Sequence, residues 1–193
     1  MKTIKIILFF PVLILLLAMP QQAYAQKLEA SLNLGDALLL GTVGVEANYA
    51  LSQHWSAGAT VRVNPWTFNA SAVDPQMQSQ LRQQSYALGV RWWPWYVYSG
   101  VWAGVKAQYQ EYNRGGFGGR LSTEEGDAFG ASVEVGYSWM LSHQLNLNLG
   151  VSGWGGVTKY VSYSCPRCGR IVEKGVKPFL LPNEIIIAIA YIF

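Results

Sequence analysis

Charge is scarce in this sequence, and so are cysteine and histidine. Only 13% of the 193 residues are charged, and 14 basic residues stand against 11 acidic ones. Such a near balance argues against nucleic acid as a partner, because nucleic-acid binding needs a strongly basic surface. Two cysteines and two histidines, His54 and His143, leave few ligands for a metal site and few bases for a nucleophilic centre.

Long apolar runs are missing after residue 25, which excludes a transmembrane helix from that part of the sequence. Before it, Lys2 and Lys5 flank the start of an apolar run, and Ala23-Tyr24-Ala25 places small residues at the positions that signal peptidase reads. No cysteine follows, so a lipid anchor is not predicted. We expect a cleaved signal peptide over residues 1–25 and one exported domain over residues 26–193.

Aromatic residues and glycine are abundant, and apolar and polar residues alternate strictly over long stretches. The chain has 8 Trp, 11 Tyr and 20 Gly, and its dominant hydrophobic period is two residues, the pattern of strands with one apolar face. The alternation predicts eight strands. They cover approximately residues 28–34, 45–51, 55–64, 85–92, 101–109, 129–139, 144–151 and 183–193.

Two kinds of connection alternate between these strands. Short turns are predicted at residues 51–54, 94–96 and 141–144, and longer polar connections at residues 35–43, 65–84, 110–127 and 155–182. Within the second of these, Asp74-Pro75 suits the start of a short helix, with a polar loop as the alternative. Short turns on one side and long loops on the other are typical of outer-membrane barrels. We predict an all-β, eight-stranded antiparallel up-and-down transmembrane barrel in the outer membrane, with periplasmic turns and extracellular loops.

A soluble β-sandwich shows the same alternation, so two further features are weighed. Aromatic residues cluster where strands meet the short turns, and such rings are typical of a membrane interface. The cluster comprises Tyr49, Trp55, Trp92, Trp93, Trp95, Tyr96, Tyr98, Tyr137 and Trp139. The chain also ends on Tyr191-Ile192-Phe193, which resembles the C-terminal assembly signal of outer-membrane barrels. Both features favour the barrel, and a secreted sandwich stays the alternative.

The opposite face of the strands carries charges of both signs. An eight-stranded barrel has an interior filled by side chains, and an unpaired charge buried there is costly. Acids and bases should therefore pair across the lumen, fill it and fix the register of the strands. The predicted polar network consists of Glu29, Glu46, Arg62, Arg91, Lys106 and Glu134.

The stretch SYSCPRCGR at residues 162–170 contains the only two cysteines, Cys165 and Cys168. Together they could supply two ligands of a tetrahedral zinc site, but both histidines are predicted at the opposite end of the barrel, on the order of 25 Å away. A redox dithiol would begin a helix, which is not predicted here. We expect a disulfide between these cysteines that closes the loop tip, no cofactor, and metal or redox chemistry as alternatives.

Catalysis is not predicted. The enzymes among small outer-membrane barrels transfer or remove acyl chains, and this chemistry needs a serine or histidine base near the outer leaflet. Since His54 and His143 are predicted at the periplasmic end, a Ser-His arrangement would face the wrong leaflet. A non-enzymatic barrel is therefore favoured, and an outer-leaflet lipid-modifying enzyme is the alternative.

Several stretches carry a family resemblance. They are Asn64-Pro65-Trp66-Thr67-Phe68, Gly89-Val90-Arg91-Trp92-Trp93, the Tyr163–Gly169 loop with its two cysteines, and Tyr191-Ile192-Phe193. With them, residues 27–193 resemble a family of small outer-membrane barrels of the Bacteroidetes that is catalogued only as a domain of unknown function. At residues 181–184 the chain reads Leu-Pro-Asn-Glu, where relatives usually show a Gly-Pro-Thr-Lys-like sequence.

This resemblance implies an outer-membrane barrel, sometimes encoded near fimbrial assembly genes, with no established activity or catalytic residues. We expect a monomeric barrel that presents extracellular loops and serves surface assembly or adhesion. The expected partners are outer-membrane lipid and a surface protein or fimbrial component.

Overall fold

Antiparallel strands make up nearly all of the structure, a computed structural model that describes residues 27–38, 41–68, 78–116, 122–165 and 169–193. The predicted signal peptide, the Asp74-Pro75 segment and Cys168 lie outside these residues. The described strands are β1 (Leu28–Asn33), β2 (Val43–Ala50), β3 (Trp55–Asn64), β4 (Thr67–Phe68), β5 (Ser79–Trp92), β6 (Gly100–Gly115), β7 (Thr123–Met140), β8 (Leu145–Tyr163) and β9 (Ile171–Ile192). A four-residue helix, α1 (Gly35–Leu38), follows β1.

Eight of these strands close into a single ring. Their order is β3-β2-β1-β9-β8-β7-β6-β5, and β5 pairs back onto β3. The two-residue β4 pairs only with the first two residues of β5. The ring confirms the predicted eight-stranded antiparallel up-and-down barrel, and it contradicts the sandwich alternative, which requires two separate packed sheets.

The strands are strongly staggered around the ring. Following paired residues from Leu32 on β1 through every strand leads to Pro178 on β9, whereas Leu32 itself pairs with Ile189. The offset is about ten residues per circuit once the bulge in β9 is allowed for, which corresponds to strands tilted by about 40°. A barrel of this size has an interior that side chains can fill.

The outer face of the ring is apolar and the inner face is polar. On β7, for example, Phe129, Val133 and Val135 point outward and are 61%, 59% and 50% exposed, while Ser132 and Glu134 between them are buried. This distribution is the reverse of that in a water-soluble protein, whose apolar faces pack together. No helix among the described residues is long and apolar enough to cross a membrane.

The wall of the ring grows taller along the chain. The eight ring strands contain 6, 8, 10, 14, 16, 18, 19 and 22 residues from β1 to β9. Much of the predicted loops 110–127 and 155–182 is therefore strand, because β6 to β9 continue upward with polar residues on both faces. Polar residues occur on both faces of these segments, so they lack the two-residue apolar period from which strands were predicted. We call this raised end the rim.

The turn end of the barrel is closed by aromatic side chains. Trp93, Tyr98 and Trp102 pack inside the ring with Ile186 and Ile192. The Tyr98 hydroxyl donates to the carbonyl oxygens of Lys27 and Asn48, at 3.0 and 2.8 Å. The prediction that Trp93 and Tyr98 belong to an aromatic ring at the membrane interface was wrong. The turn between β5 and β6 folds inward, and both side chains are buried at the turn end of the barrel.

Candidate functional site

The predicted interior charges meet in a compact network at mid-height of the lumen. Arg91 contacts Glu46 at 2.7 Å and Glu134 at 2.6 Å. Lys106 contacts the other oxygens of the same two carboxyl groups, at 2.7 and 2.9 Å. Each base thus bridges both acids, and the four residues form a closed square that joins β2, β5, β6 and β7.

Glu29 lies next to this square and is fully buried. Its carboxylate accepts hydrogen bonds from the side-chain amides of Asn48 and Asn148, at 3.1 and 3.4 Å, and lies 3.9 Å from Arg91. The Arg91 guanidinium in turn lies 4.2 Å from the centre of the Trp102 ring. The network therefore rests directly on the aromatic floor, and its charges are paired as burial requires.

Arg62 occupies a second site nearer the rim. Its guanidinium donates to the side-chain and main-chain oxygens of Asn183, at 2.6 and 3.3 Å, and lies 3.5 Å from Glu184 and 3.8 Å from Asp36. Asn183 is the extra residue of a β-bulge in β9, where the register with β8 shifts. Arg62 on β3 thus ties the bulge of β9 to helix α1 across the barrel.

Asp36 is the interior residue that sequence reasoning missed. It lies in α1, inside a segment predicted to be a loop, so no alternation marked it as inward-facing. The structure buries it completely, and neither carboxylate oxygen has a hydrogen-bond partner among the described residues. Gly44 makes room for it, because a Cβ at that position would lie 2.1 Å from Asp36 Oδ2. Gly44, the second residue of β2, is a signal for this close approach that the sequence does contain.

The interior holds more acids than bases. Among the described residues, five carboxyl groups (Glu29, Asp36, Glu46, Glu134 and Glu184) face the three bases Arg62, Arg91 and Lys106. A cavity of about 10 Å³ adjoins Asp36, Glu46 and Glu184, which is room for about one water molecule. No cluster of three or more metal-ligating side chains occurs in the described ranges. The arrangement is suited to holding the wall together.

The cysteine loop lies at the rim, after β8. Cys165 is buried and disulfide-bonded. The chain has one other cysteine, Cys168, which is outside the described residues, so the pairing of the two stays a prediction. Glu173, near the start of β9, accepts a hydrogen bond from the Tyr160 hydroxyl at 2.6 Å.

Both histidines lie in turns at the other end of the barrel. His54 follows β2 and its Nδ1 lies 3.0 Å from the carbonyl oxygen of Trp93, while His143 occupies the turn between β7 and β8. Neither shares an end of the ring with the Cys165 loop. The structure therefore does not bring a histidine to the cysteines.

A smaller charged cluster stands on the inner side of the rim. The Glu124 carboxylate accepts hydrogen bonds from Lys177 at 2.6 Å, Tyr112 at 2.9 Å and Arg114 at 3.0 Å. Partial burial by itself raises the pKa of Glu124, but these donors outweigh it and hold that pKa below its ordinary value of 4.5. Lys177 also lies over the Tyr160 ring, 4.0 Å from its centre. The cluster joins β6 to β9 above the lumen.

A family model for proteins of unknown function, DUF3575, matches residues 11–193. The chain belongs to the DUF3575 family. None of the curated proteins compared with it matches. The predicted membership in a domain of unknown function is thereby confirmed.

The structure of this DUF3575 protein places all six predicted interior residues inside the ring. Five of them, Glu29, Glu46, Arg91, Lys106 and Glu134, form one connected network. Arg62 stands apart and pairs instead with residues of α1 and β9. Periodicity identified the inward face but could not tell which charges meet, because that depends on the stagger of the strands.

Proposed function

We propose that this DUF3575 protein is a non-enzymatic β-barrel of the outer membrane that presents its rim at the cell surface as an accessory of surface assembly or adhesion. The observation that carries the proposal is the closed ring with an apolar outer face and a charged, paired interior. In lipid a closed barrel satisfies the backbone groups of its paired strands within the wall, and its outer face is stabilised by contact with acyl chains.

The exposed aromatic residues support the same placement. Trp55, Trp92, Trp95, Tyr96 and Trp139 are exposed at or near the turn end, where strands leave the apolar belt. An indole or phenol at this position can place its apolar ring among acyl chains while its N–H or O–H group bonds to water. We infer that this end faces the periplasm and that export uses the signal peptide predicted at residues 1–25.

An arginine placed on the outer face distinguishes lipid from water. Val133→Arg lies in the middle of the outward face of β7, and in a membrane it should cost about 2–4 kcal/mol of the free energy of unfolding. Val172→Arg, an equally exposed valine at the rim, should cost about 0–1 kcal/mol. The measurement is urea unfolding of the protein folded into vesicles. Heat-modifiable gel migration of the outer-membrane fraction reports the folded barrel.

Equal effects of the two substitutions, together with recovery of the protein only in the soluble periplasm, would contradict the membrane placement. Residual lipid-modifying activity is tested separately, by mass analysis of lipid A from a deletion strain. We expect an unchanged profile, because Arg91 and Lys106 are both held in contact with Glu46 and Glu134 and the adjoining cavity has room for about one water molecule.

Presentation at the surface is supported by the raised wall of β6 to β9. Strands that continue above the apolar belt place polar side chains and the Cys165 loop in the outside solution. The link to fimbriae and to the Bacteroidetes rests on the resemblance alone. Photo-crosslinking from the rim in intact cells, followed by identification of the captured protein, tests it. Capture of a fibre subunit is the expected result, and capture of lipopolysaccharide alone would contradict a protein partner.

A further inference from the structure

Among the described residues, β9 has an edge that no other strand pairs with. β1 pairs only with residues 188–192 of β9, and above them the Asn33 side chain and Leu34 bond to Ile185 and Ile187. From residue 171 to 184, β9 pairs within the described residues only with β8. Helix α1 stands opposite the lower part of this edge, where a Cβ on Gly35 would approach Ile185 O to 2.1 Å. We call the region between α1 and residues 178–184 the notch.

The floor of the notch is capped by side chains. Asn33 Nδ2 donates to Ile185 O at 3.3 Å, and Asn33 Oδ1 accepts from Ile187 N at 3.0 Å. Arg62 caps the next carbonyl, that of Asn183. These bonds replace the ladder that a longer β1 would have supplied, so the floor has few polar groups left for water.

The free edge above the floor lacks donors at two positions. Pro178 and Pro182 have no N–H, and proline occurs in strands where its nitrogen faces an unpaired edge. An unsatisfied N–H in hydrocarbon costs several kcal/mol, whereas proline avoids that cost. Proline also discourages the addition of another strand. The edge is therefore poorly suited to pairing with a peptide, and at these two positions it presents no unpaired N–H to apolar chains.

Apolar side chains flank the notch. Leu38 on α1 is 73% exposed and Leu180 on β9 is 83% exposed. Leu34 and Val176 are also exposed at this side of the wall. Exposed apolar side chains on both α1 and β9 indicate a contact surface for another apolar group.

Two lysines stand above this surface on the outer face. Lys159 lies opposite Val176 and Lys174 opposite Val161, so they are diagonal neighbours roughly 7–8 Å apart. Neither makes an ion pair among the described residues. Asp127, opposite Lys159 on β7, instead accepts a hydrogen bond from Tyr109 at 3.1 Å. The lysines are thus available to an anionic group.

We propose that the notch binds one anionic lipid of the surrounding leaflet, with an acyl chain between α1 and β9 and the phosphate at Lys159 and Lys174. The proposal rests on the membrane placement proposed above. At about 3.3 Å per residue, Lys174 and Leu180 are about 20 Å apart along β9, which is comparable to a headgroup plus most of a leaflet about 15 Å thick.

Native mass spectrometry of the chain folded in detergent micelles tests the headgroup. With phosphatidylglycerol we expect one retained lipid, and with phosphatidylcholine markedly weaker retention. Each lysine near a charged lipid contributes about 1 kcal/mol, or roughly fivefold in affinity. Lys159→Ser combined with Lys174→Ser should therefore weaken phosphatidylglycerol binding about 25-fold. The matched control is Arg82→Ser, which removes an exposed cation on β5 and should leave binding unchanged.

A second pair of variants tests the acyl chain. Leu180→Ser should weaken retention of both lipids, whereas Leu88→Ser, at an outward position on β5, should not. Equal loss from both lysine and control variants would overturn the proposal, as would displacement of the lipid by inorganic phosphate or a dimer that excludes it. Loss of heat-modifiable migration in the wild-type protein would instead contradict the barrel in the membrane.

Discussion

At the scale of single residues, Arg91 connects the interior. Its guanidinium reaches Glu46, Glu134 and Glu29, and its plane lies over Trp102. A buried ionic network of this kind adds little to the free energy of unfolding compared with a well-packed apolar core. Removing one partner, however, leaves the others as unpaired buried charges. Arg91 should therefore matter more for stability than its own contacts suggest.

Replacing Arg91 with methionine should lower the free energy of unfolding by about 3–5 kcal/mol, because Glu46 and Glu134 are left with Lys106 as their only close base. Urea unfolding in vesicles measures the loss. The double variant Arg91→Met with Glu134→Gln removes one of the unpaired charges and should recover part of the lost free energy of unfolding. A single variant as stable as the wild type would show that the interior charges do not support the wall.

The rim cluster predicts a dependence on acid. The folded-state pKa of Glu124 lies below its ordinary value of 4.5, so its contribution to stability is complete above about pH 4.5 and is lost as pH falls through the lowered pKa. Lys177→Met should cost at most about 1 kcal/mol at neutral pH, since the pair is partly exposed. The difference from wild type should shrink below pH 4.5.

Unfolding curves at several pH values in micelles provide this measurement. Lys27→Met, which removes a lysine at the turn end without an ion pair among the described residues, is the control and should show no such trend. A difference that grew toward acid would mean that Lys177 stabilises the fold through something other than the Glu124 carboxylate.

At the scale of elements, the sequence predicted the segments that alternate with a two-residue period. The lower halves of the strands and the inward direction of Glu29, Glu46, Arg91, Lys106 and Glu134 all come from alternation between lipid-type and polar residues. The rim could not be predicted this way, because the upper parts of β6 and β7 are polar on both faces and those of β8 and β9 mix polar and apolar residues without a two-residue period. Asp36 was missed for a related reason, since it comes from a helical turn.

Turns were the other source of error. Trp93 and Tyr98 look from the sequence like interface residues, because they neighbour Trp92, Trp95 and Tyr96. In the structure the turn between β5 and β6 directs Trp93 and Tyr98 into the ring and leaves the other three side chains exposed. Tyr98 adopts a φ of 65° in this turn. Local composition cannot report that path, since it depends on the space left inside the ring.

Helix α1 supplies a test of packing at this scale. Gly44→Ala would place a Cβ 2.1 Å from Asp36 Oδ2, so α1 must move away from β2. We expect a loss of about 1–3 kcal/mol, measured by urea unfolding in vesicles. Gly153→Ala is the matched control, because its Cβ meets nothing closer than 3.7 Å. Equal effects of both substitutions would show that Asp36 is not held where the structure places it.

At the scale of the whole molecule, the ring and the rim are separable. The interior network and the aromatic floor belong to the lower part of the strands, whereas the upper parts of β8 and β9 pair mainly with each other and with β7. The lower part should therefore keep its closed hydrogen-bonded wall without the upper hairpin.

Deleting residues 161–174 and joining Tyr160 to Gly175 by a short turn tests this independence. The pairs from Lys159↔Val176 downward remain available, so heat-modifiable migration should be retained and the urea midpoint should change little. Crosslinking to a surface partner should be lost. A variant that no longer closes would show that the rim contributes to forming the barrel.

Closure of the ring also has a consequence for the order of assembly. β1 comes first in the fold and β9 last, yet Asn33 bonds to Ile187 across 154 positions of the chain. Contacts so distant in sequence form slowly, because the intervening chain must be ordered first. Until β9 is present, the nascent sheet has two unpaired edges. The shortest strand, β1, can complete its pairing only when the longest, β9, has been added. Biogenesis of this protein should therefore depend on a helper that holds both sides apart until the C-terminus is present.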